Sequence, residues 1–123
     1  MTQEQKELLF KDLCSRLPYG VKCRYQHIQY IENSKIIDIN MFGRVNVDGH
    51  VKDICDVKPY LFPLSSMSEE QKEEYDLICS MSMFDMSESD AVKLIDWLNK
   101  NHFDYRGLIP MELAIDATGL NIY

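Results

Sequence analysis

The sequence lacks any apolar run near the roughly 20 residues that a membrane-spanning helix needs, and it lacks a close pair of cysteines. Its four cysteines lie at positions 14, 23, 55 and 79, a spacing that fits neither a zinc-binding nor a redox motif. The first residues, Met-Thr-Gln-Glu-Gln-Lys, also lack the basic and then apolar order of a signal peptide. We therefore expect a cytoplasmic protein with no membrane segment and four free thiols, although an even number of cysteines would also allow two disulfides.

Motifs that carry catalytic chemistry or hold cofactors are also missing. The chain contains no glycine-rich phosphate loop, no nucleophile elbow and no metal-binding helix motif. A zinc site built from His27, His50 and His102 with the cysteines would have to join distant parts of the chain, because no pair has the usual ligand spacing. The sequence therefore predicts neither a metal ion nor any other cofactor.

The composition that is present is typical of a single globular domain spanning residues 1–123. Hydrophobic residues make up 46% of the chain and aromatic residues 11%, which is too apolar for a disordered protein. The net charge of -7 is uneven, since residues 1–64 hold 9 Lys/Arg and 8 Asp/Glu whereas residues 65–123 hold 4 Lys/Arg and 12 Asp/Glu. The acidic C-terminal half would repel the phosphates of nucleic acids, so a protein partner or simple solubility explains it better.

The N-terminal region, residues 1–20, shows a strong helical signal. Thr2 and Gln5 form a capping-box pattern, and the apolar residues that follow recur at helical spacing. Pro18 and Gly20 end this pattern. The sequence therefore predicts a helix over residues 3–17.

Between residues 21 and 58 the period changes from helical to alternating. Apolar and polar residues alternate from Val21 onward, as in a strand with one face in water. Asp48 and Gly49 are typical of a hairpin turn. Short runs at this spacing predict an antiparallel meander of three to five strands, and the alternative that they close into a small barrel is open at this stage.

The proline-rich segment 59–67 is predicted to be an extended connector, because prolines fix φ and disfavour helix at the preceding residue. The remaining residues, 68–123, are predicted to be mainly helical, with a second capping-box pattern at Ser68 and a helix over residues 88–100. The apolar face of that helix is expected to be mostly buried against the sheet and comprises Leu94, Ile95, Trp97 and Leu98. The fold class is therefore α+β, with residues 111–117 open as helix or strand.

The segment NKNHFDYRGLIP, residues 99–110, concentrates acid/base and anion-binding side chains. A catalytic site there would use His102, Asp104 and Arg106, but it would also need a nucleophile, and the segment contains no serine or cysteine. The structural interpretation gives each group another role: Asp104 binds the backbone of a turn, and His102 complements the negative end of a helix dipole. Arg106 beside Tyr105 would also suit recognition of a carboxylate or phosphate.

A second candidate surface combines basic and aromatic residues on a predicted strand over residues 22–30. Its members are Lys22, Arg24, Tyr25, His27 and Tyr30. Basic and aromatic groups interleaved in this way favour an RNA-binding surface. The alternative is the solvent-exposed face of an edge strand, where lysines are expected.

Three blocks of the sequence resemble a known family. They are KELLFKDLCSRLPYGVK near the start, VKPYLFPLSSMSEEQKEEYD in the middle and LIDWLNKNHFDYRGLIPMELAIDATGLNIY at the end. Together they resemble a family of small uncharacterised proteins associated with the genomes of gut bacteria and with their phages and mobile elements. The resemblance implies an intracellular setting in a bacterial or phage context, and it assigns no role to any residue.

These observations lead to one principal functional hypothesis and two alternatives. The principal hypothesis is a non-enzymatic interaction or accessory protein that binds a partner through the sheet face or the acidic helical half. One alternative is a small hydrolase or transferase that uses the segment from His102 to Arg106. The other is a nucleic-acid-binding accessory protein that uses the basic and aromatic strand over residues 22–30.

Overall fold

The computed structural model describes residues 1–27, 30–80 and 88–123. Within these residues the chain forms three α-helices: α1, Gln3–Arg16; α2, Glu69–Ser80; and α3, Glu88–Lys100. Seven strands form one sheet: β1, Lys22–His27; β2, Tyr30–Ile39; β3, Arg44–Val47; β4, His50–Asp53; β5, Val57–Pro63; β6, Phe103–Asp104; and β7, Ile115–Asp116. This content confirms the predicted α+β class.

The sheet is mixed and open. Its strand order is β4-β3-β2-β1-β5-β6, and β7 pairs with β5 outside this path. Strands β1 to β4 pair with antiparallel neighbours, whereas β6 and β7 run parallel to β5. In the described part of the chain the two end strands of the order, β4 and β6, do not pair with each other, so the small barrel is not supported.

Helix α1 forms where the capping box predicted it. The Gln5 amide donates to Thr2 Oγ1 over 3.1 Å, and the Thr2 amide donates to Gln5 Oε1 over 3.0 Å. The helix gives way to a 3-10 turn that ends at Gly20, whose φ of 73° few other residues would tolerate. Leu9 and Leu13 are fully buried against the sheet core, so α1 covers the inner face of the meander.

The meander is built from β1 to β4, as the alternation predicted. Asp48 and Gly49 both have positive φ, 51° and 82°, and they connect Val47 to its partner His50. Two such residues in a row are typical of a type I′ turn, whose twist matches that of the flanking strands. Residues 28 and 29 of the predicted strand lie outside the described residues.

Residues 59–63 of the segment that was predicted to be a connector belong instead to an interior strand of the sheet. Strand β5 pairs with β1 on an antiparallel register, with Cys23 opposite Pro59, and it also pairs with β6 and β7. Pro59, Tyr60 and Leu61 are buried in succession. A strand buried on both faces shows no alternation of apolar and polar residues. The prediction of a connector therefore rested on the prolines, which argue against a central strand.

The C-terminal half is helical only up to Lys100. Helix α2 begins at the predicted cap, where the Gln71 amide donates to Ser68 Oγ over 3.2 Å. Beyond α3, the residues up to Tyr123 form turns and the two-residue strands β6 and β7, so the predicted helical half is only partly correct. Residues 111–117, which the sequence left open as helix or strand, form turns and the short strand β7.

Helix α3 has its predicted bounds, but its apolar face is only partly buried. Leu98 is 5% exposed, whereas Ile95 is 38% exposed and Leu94 is half-buried. The Trp97 ring lies 6.0 Å from Tyr75 of α2 and stacks on Phe103 of β6 at 5.6 Å. The expectation that this face is mostly buried against the sheet is therefore correct for Leu98 and wrong for Ile95, because α3 packs against α2 and meets the sheet near its last turn.

Candidate functional site

His102 follows α3 and is held by its backbone and its ring. It adopts a left-handed φ of 62°, its amide donates to Asn99 O over 3.1 Å, and its carbonyl accepts from the Phe62 amide over 2.8 Å. Its ring stacks on Tyr123 with the ring centres 3.6 Å apart. His102 therefore joins the end of α3 to β5 and to the last residue of the chain.

The environment of His102 keeps its imidazole neutral. Burial is the main cause that lowers the pKa of His102 to about 4, and the positive charges of Arg16 and Lys22 contribute to the same shift. A neutral ring cannot provide the positive charge that would complement a helix dipole at neutral pH. That part of the structural interpretation is wrong, although the ring has a packing role.

Asp104 has the structural role that the sequence predicted. Its side chain is buried and accepts hydrogen bonds from the Leu108 amide over 3.0 Å and the Ile109 amide over 2.9 Å. Both carboxylate oxygens are therefore committed to the turn that follows β6. Asp104 lies two residues from His102, but it does not orient that ring.

Arg106 pairs with a buried acid on α1. Its Nε lies 3.3 Å from Asp12 Oδ1, without the alignment of a hydrogen bond. Asp12 also accepts from Arg16 Nε over 2.7 Å and from Arg16 Nη2 over 3.1 Å, and both of these residues are fully buried. Arg16 Nη2 further donates to Phe103 O over 2.6 Å. One carboxylate thus faces two guanidinium groups.

Tyr105 fills the space between these two arginines. The guanidinium carbons of Arg16 and Arg106 lie 5.0 Å and 5.2 Å from the centre of its ring. The Tyr105 hydroxyl donates to Oδ1 of the buried Asn99 over 2.8 Å. Tyr105 and Arg106 therefore make their contacts within the fold: Tyr105 with Asn99 and the two arginines, and Arg106 with Asp12 and Tyr105.

The segment from His102 to Arg106 does not assemble the contacts of a hydrolase. Among the described residues, no serine or cysteine bonds to His102, and its Nδ1 is buried without a hydrogen-bond partner. The two carboxylates nearest in sequence or space, Asp104 and Asp12, bond to backbone amides and to arginines. These contacts connect α1, α3 and the C-terminal turns, and within the described residues they pair His102 with no orienting acid.

The strand registers create a basic face that the sequence analysis only partly identified. Lys22 lies opposite Lys35 of β2, and Arg24 lies opposite Lys58 of β5. Residues opposite each other, and residues two apart on one strand, point to the same side of a sheet. We call these four residues, Lys22, Arg24, Lys35 and Lys58, the basic face.

The basic face is open to solvent. Arg24, Lys35 and Lys58 are exposed and Lys22 is half-buried. Among the side chains that the structure describes, no carboxylate forms an ion pair with any of the four. The Lys35 side chain lies over Gly20, in the turn before β1, and its Cε would be 3.3 Å from a Cβ at that glycine.

The two cations of β1 each make a hydrogen bond within the fold and lie near a tyrosine ring. Arg24 Nε donates to the Tyr60 hydroxyl over 3.1 Å, with the guanidinium carbon 5.7 Å from that ring. Lys22 Nζ donates to Ile122 O over 2.8 Å and lies 5.9 Å from the Tyr123 ring. The Tyr123 hydroxyl donates to Tyr60 O over 2.9 Å, and burial raises the pKa of Tyr123 to about 12.

Two expectations about strand β1 are wrong. Tyr25 points to the opposite side from Arg24 and is 1% exposed, so it belongs to the core. The strand lies between β2 and β5, so it is not an edge strand. Lys35 and Lys58 were missed because only the strand register brings them beside Lys22 and Arg24.

A cavity of about 470 Å³ lies between α1, the turn that connects β2 to β3, and the end of β4. Its rim includes Met41 and Phe42, which are 82% and 83% exposed. The charged residues of its lining are two lysines and two acids: Lys6, Lys11, Glu7 and Asp53. This balance gives the cavity no preference for a ligand of one charge.

All four cysteines are free thiols in the structure, as predicted. Cys23 is buried in the core, and this burial raises its pKa to about 12, whereas Cys55 is exposed. In the described part of the chain, no three His, Cys, Asp or Glu side chains are grouped so that they could hold a metal ion. No helix there is both long enough and apolar enough to cross a bilayer.

Comparison with known proteins adds no relative from which a site could be transferred. No protein-family model, no curated protein and no solved structure matches the chain.

Proposed function

We propose that this chain is a non-enzymatic interaction or accessory protein that binds an anionic partner through the basic face. The resemblance of its three sequence blocks supports a bacterial, phage or mobile-element origin and a cytoplasmic setting. The basic face is the observation that carries the proposal, because its four cations lie on one side of three adjacent strands.

The electrostatics of the chain support the basic face as the contact surface. The net charge of the whole chain is -7, and α2 alone carries Glu69, Glu70, Glu73, Glu74 and Asp76. These four cations, which pair with no carboxylate in the described part of the chain, therefore differ in sign from the chain as a whole. Such a surface orients an anionic partner as it approaches and raises its association rate.

The contacts around His102 favour binding over catalysis. Asp104, Tyr105 and Arg106 each satisfy backbone groups or side chains of this chain. The basic face differs in this respect, because Lys35 and Lys58 project from the sheet without an ion-pair partner in the described residues.

Affinity capture from bacterial lysate tests the proposal. Three baits are compared. The first is the native chain, and the second is a basic-face variant that carries Arg24→Gln, Lys35→Gln and Lys58→Gln. The third is a control that carries Lys72→Gln, Lys93→Gln and Lys100→Gln. The two variants remove the same charge from exposed residues. Proteins would be identified by mass spectrometry and nucleic acids by sequencing.

We expect an anionic partner that the native chain and the control retain and that the basic-face variant loses. Equal retention of the same partners by all three baits would contradict the proposal.

A further inference from the structure

The chemistry of the basic face also indicates the class of its anionic partner, an inference that rests on the proposed function. We propose that the basic face binds the phosphate backbone of single-stranded nucleic acid without reading its bases. Three observations carry this proposal: the line that the cations form, the position of their strand inside the sheet, and the contacts that the neighbouring described rings already make.

The four cations form a diagonal line across three strands. The line runs from Lys35 on β2 through Lys22 and Arg24 on β1 to Lys58 on β5. Two strand spacings and two residues along a strand separate its ends by about 12 Å at the Cα atoms. A flexible, regularly charged chain can follow such a line, and phosphates accept hydrogen bonds from both lysine and arginine.

A protein partner fits this surface less well. Strand β1 is paired on both sides, so its backbone offers no free edge to which a peptide strand could add. Protein interfaces centre on apolar or aromatic anchors and are depleted in lysine. Tyr60, the aromatic residue that Arg24 covers, is only 1% exposed and cannot serve as such an anchor.

The described rings beside the basic face already make contacts within the fold, which disfavours base stacking on them. One face of Tyr123 stacks on His102, and Lys22 Nζ lies 5.9 Å from its ring centre. Single-stranded nucleic acid proteins that stack bases need free aromatic faces. Reading a duplex requires a helix or a narrow ribbon that enters a groove, whereas the basic face lies on a sheet of several strands. The binding we propose is therefore electrostatic and independent of base sequence.

Fluorescence anisotropy with labelled single-stranded DNA of about 12 nucleotides, within the ~4–16 nucleotides of known site sizes, tests the proposal. Each neutralised phosphate contributes about -0.7 to the slope of log affinity against log salt. Contact with three or four phosphates then gives a slope of about -2 to -3. Tripling the salt concentration should weaken binding about 10- to 20-fold, equally for homopolymers of different bases.

The variants locate the binding. The triple variant Arg24→Gln, Lys35→Gln, Lys58→Gln should bind at least about 10-fold more weakly and with a slope of magnitude below about 1. The control variant, which carries Lys72→Gln, Lys93→Gln and Lys100→Gln on α2 and α3, should bind with the affinity and the salt slope of the native chain. The double variant Lys35→Gln, Lys58→Gln leaves the hydrogen bond between Arg24 and Tyr60 intact. A loss of affinity in this variant therefore cannot be explained by the loss of that bond.

A poly-glutamate peptide separates this inference from the proposed function. If the native chain binds poly-glutamate through the basic face but not the oligonucleotide, the partner is an acidic protein segment, and only this inference fails. If neither polyanion binds, or if both triple variants lose the same affinity, the proposed function fails as well. Binding of the oligonucleotide with a strong preference for one base would overturn the backbone-only contact.

Discussion

The carboxylate of Asp104 holds the turn after β6, because each of its oxygens accepts a hydrogen bond from a backbone amide. The residue is 7% exposed, so water cannot replace these bonds. A charged acceptor also makes each bond stronger than one between neutral groups. At the scale of single residues, Asp104 is therefore a structural anchor of the segment from His102 to Arg106.

Asp104→Ala should lower the free energy of unfolding by about 2–4 kcal/mol, because it leaves two amides without their partner. Asp116 provides the control, since it bonds to the Thr118 amide and hydroxyl at an exposed position. Asp116→Ala should cost less than about 1 kcal/mol. Urea unfolding measures both, and equal losses in the two variants would contradict the anchoring role of Asp104.

His102 makes the stability of the fold depend on pH. Its pKa is lowered to about 4 in the folded chain, whereas the unfolded chain titrates near 6.5. Between these values the unfolded chain binds a proton that the folded chain does not. The contribution of the neutral ring is therefore fully present above pH 6.5 and is lost as the pH falls towards 4.

His102→Gln should remove part of this pH dependence. The native chain should lose about 1–2 kcal/mol from this group between pH 7 and pH 4, a figure reduced for solvent screening of a half-buried ring. The variant should lose less over the same range. Identical pH profiles for the native chain and His102→Gln would show that the ring titrates normally.

Helix α1 and the C-terminal turns are joined by one buried polar cluster. Asp12 and Arg16 lie one helical turn apart on α1, Arg16 donates to Phe103 O of β6, and Arg106 approaches Asp12 from the following turn. A buried charge without its partner is strongly unfavourable, whereas a pair replaced by apolar residues can be nearly neutral. At the scale of elements, this cluster fixes how α1 meets the segment after α3.

Asp12→Ala should cost about 3–5 kcal/mol, because it leaves Arg16 buried and without its carboxylate. The double variant Asp12→Ala, Arg16→Met should recover part of that loss. Lys72→Ala, which removes an exposed pair with Glu69, should change stability by less than about 0.5 kcal/mol. A double variant that is as unstable as the sum of its two single variants would show that the pair is not coupled.

Elements set by neighbouring residues were predictable from the sequence. The cap at Thr2 and the turn at Asp48 and Gly49 involve contacts within four residues, so their patterns are visible along the chain. Strand β5 was not predictable, because its partners β1, β6 and β7 come from distant segments. The exposure of Ile95 likewise depends on how α3 meets α2, which periodicity alone does not determine.

The candidate site was predictable only in part for the same reason. Lys22 and Arg24 stand out as basic residues next to aromatic ones, whereas Lys35 and Lys58 look like ordinary surface lysines. The register that brings them together is set by three strands and is absent from any local pattern. The pairing of Arg106 with Asp12 was not predictable either, because the two residues lie 94 positions apart.

The negative net charge of the molecule is concentrated in its C-terminal half. Helix α2 has five acidic residues and a single lysine, Lys72, whereas the basic face has none of its cations paired with a described carboxylate. This asymmetry explains how a chain of net charge -7 could bind an anion. The acidic half would repel the rest of a polyanion, so contact would be confined to the basic face.

Titration of the ¹⁵N-labelled chain with single-stranded DNA, followed by the shifts of its backbone amide signals, tests the central claim most directly. We predict that the largest shifts lie at Lys22, Arg24, Lys35 and Lys58 and their strand neighbours, and that they vanish when the salt concentration is raised. Shifts that centre on α2, on the segment from His102 to Arg106, or on the cavity beside Phe42 would contradict the assignment of the basic face as the binding surface.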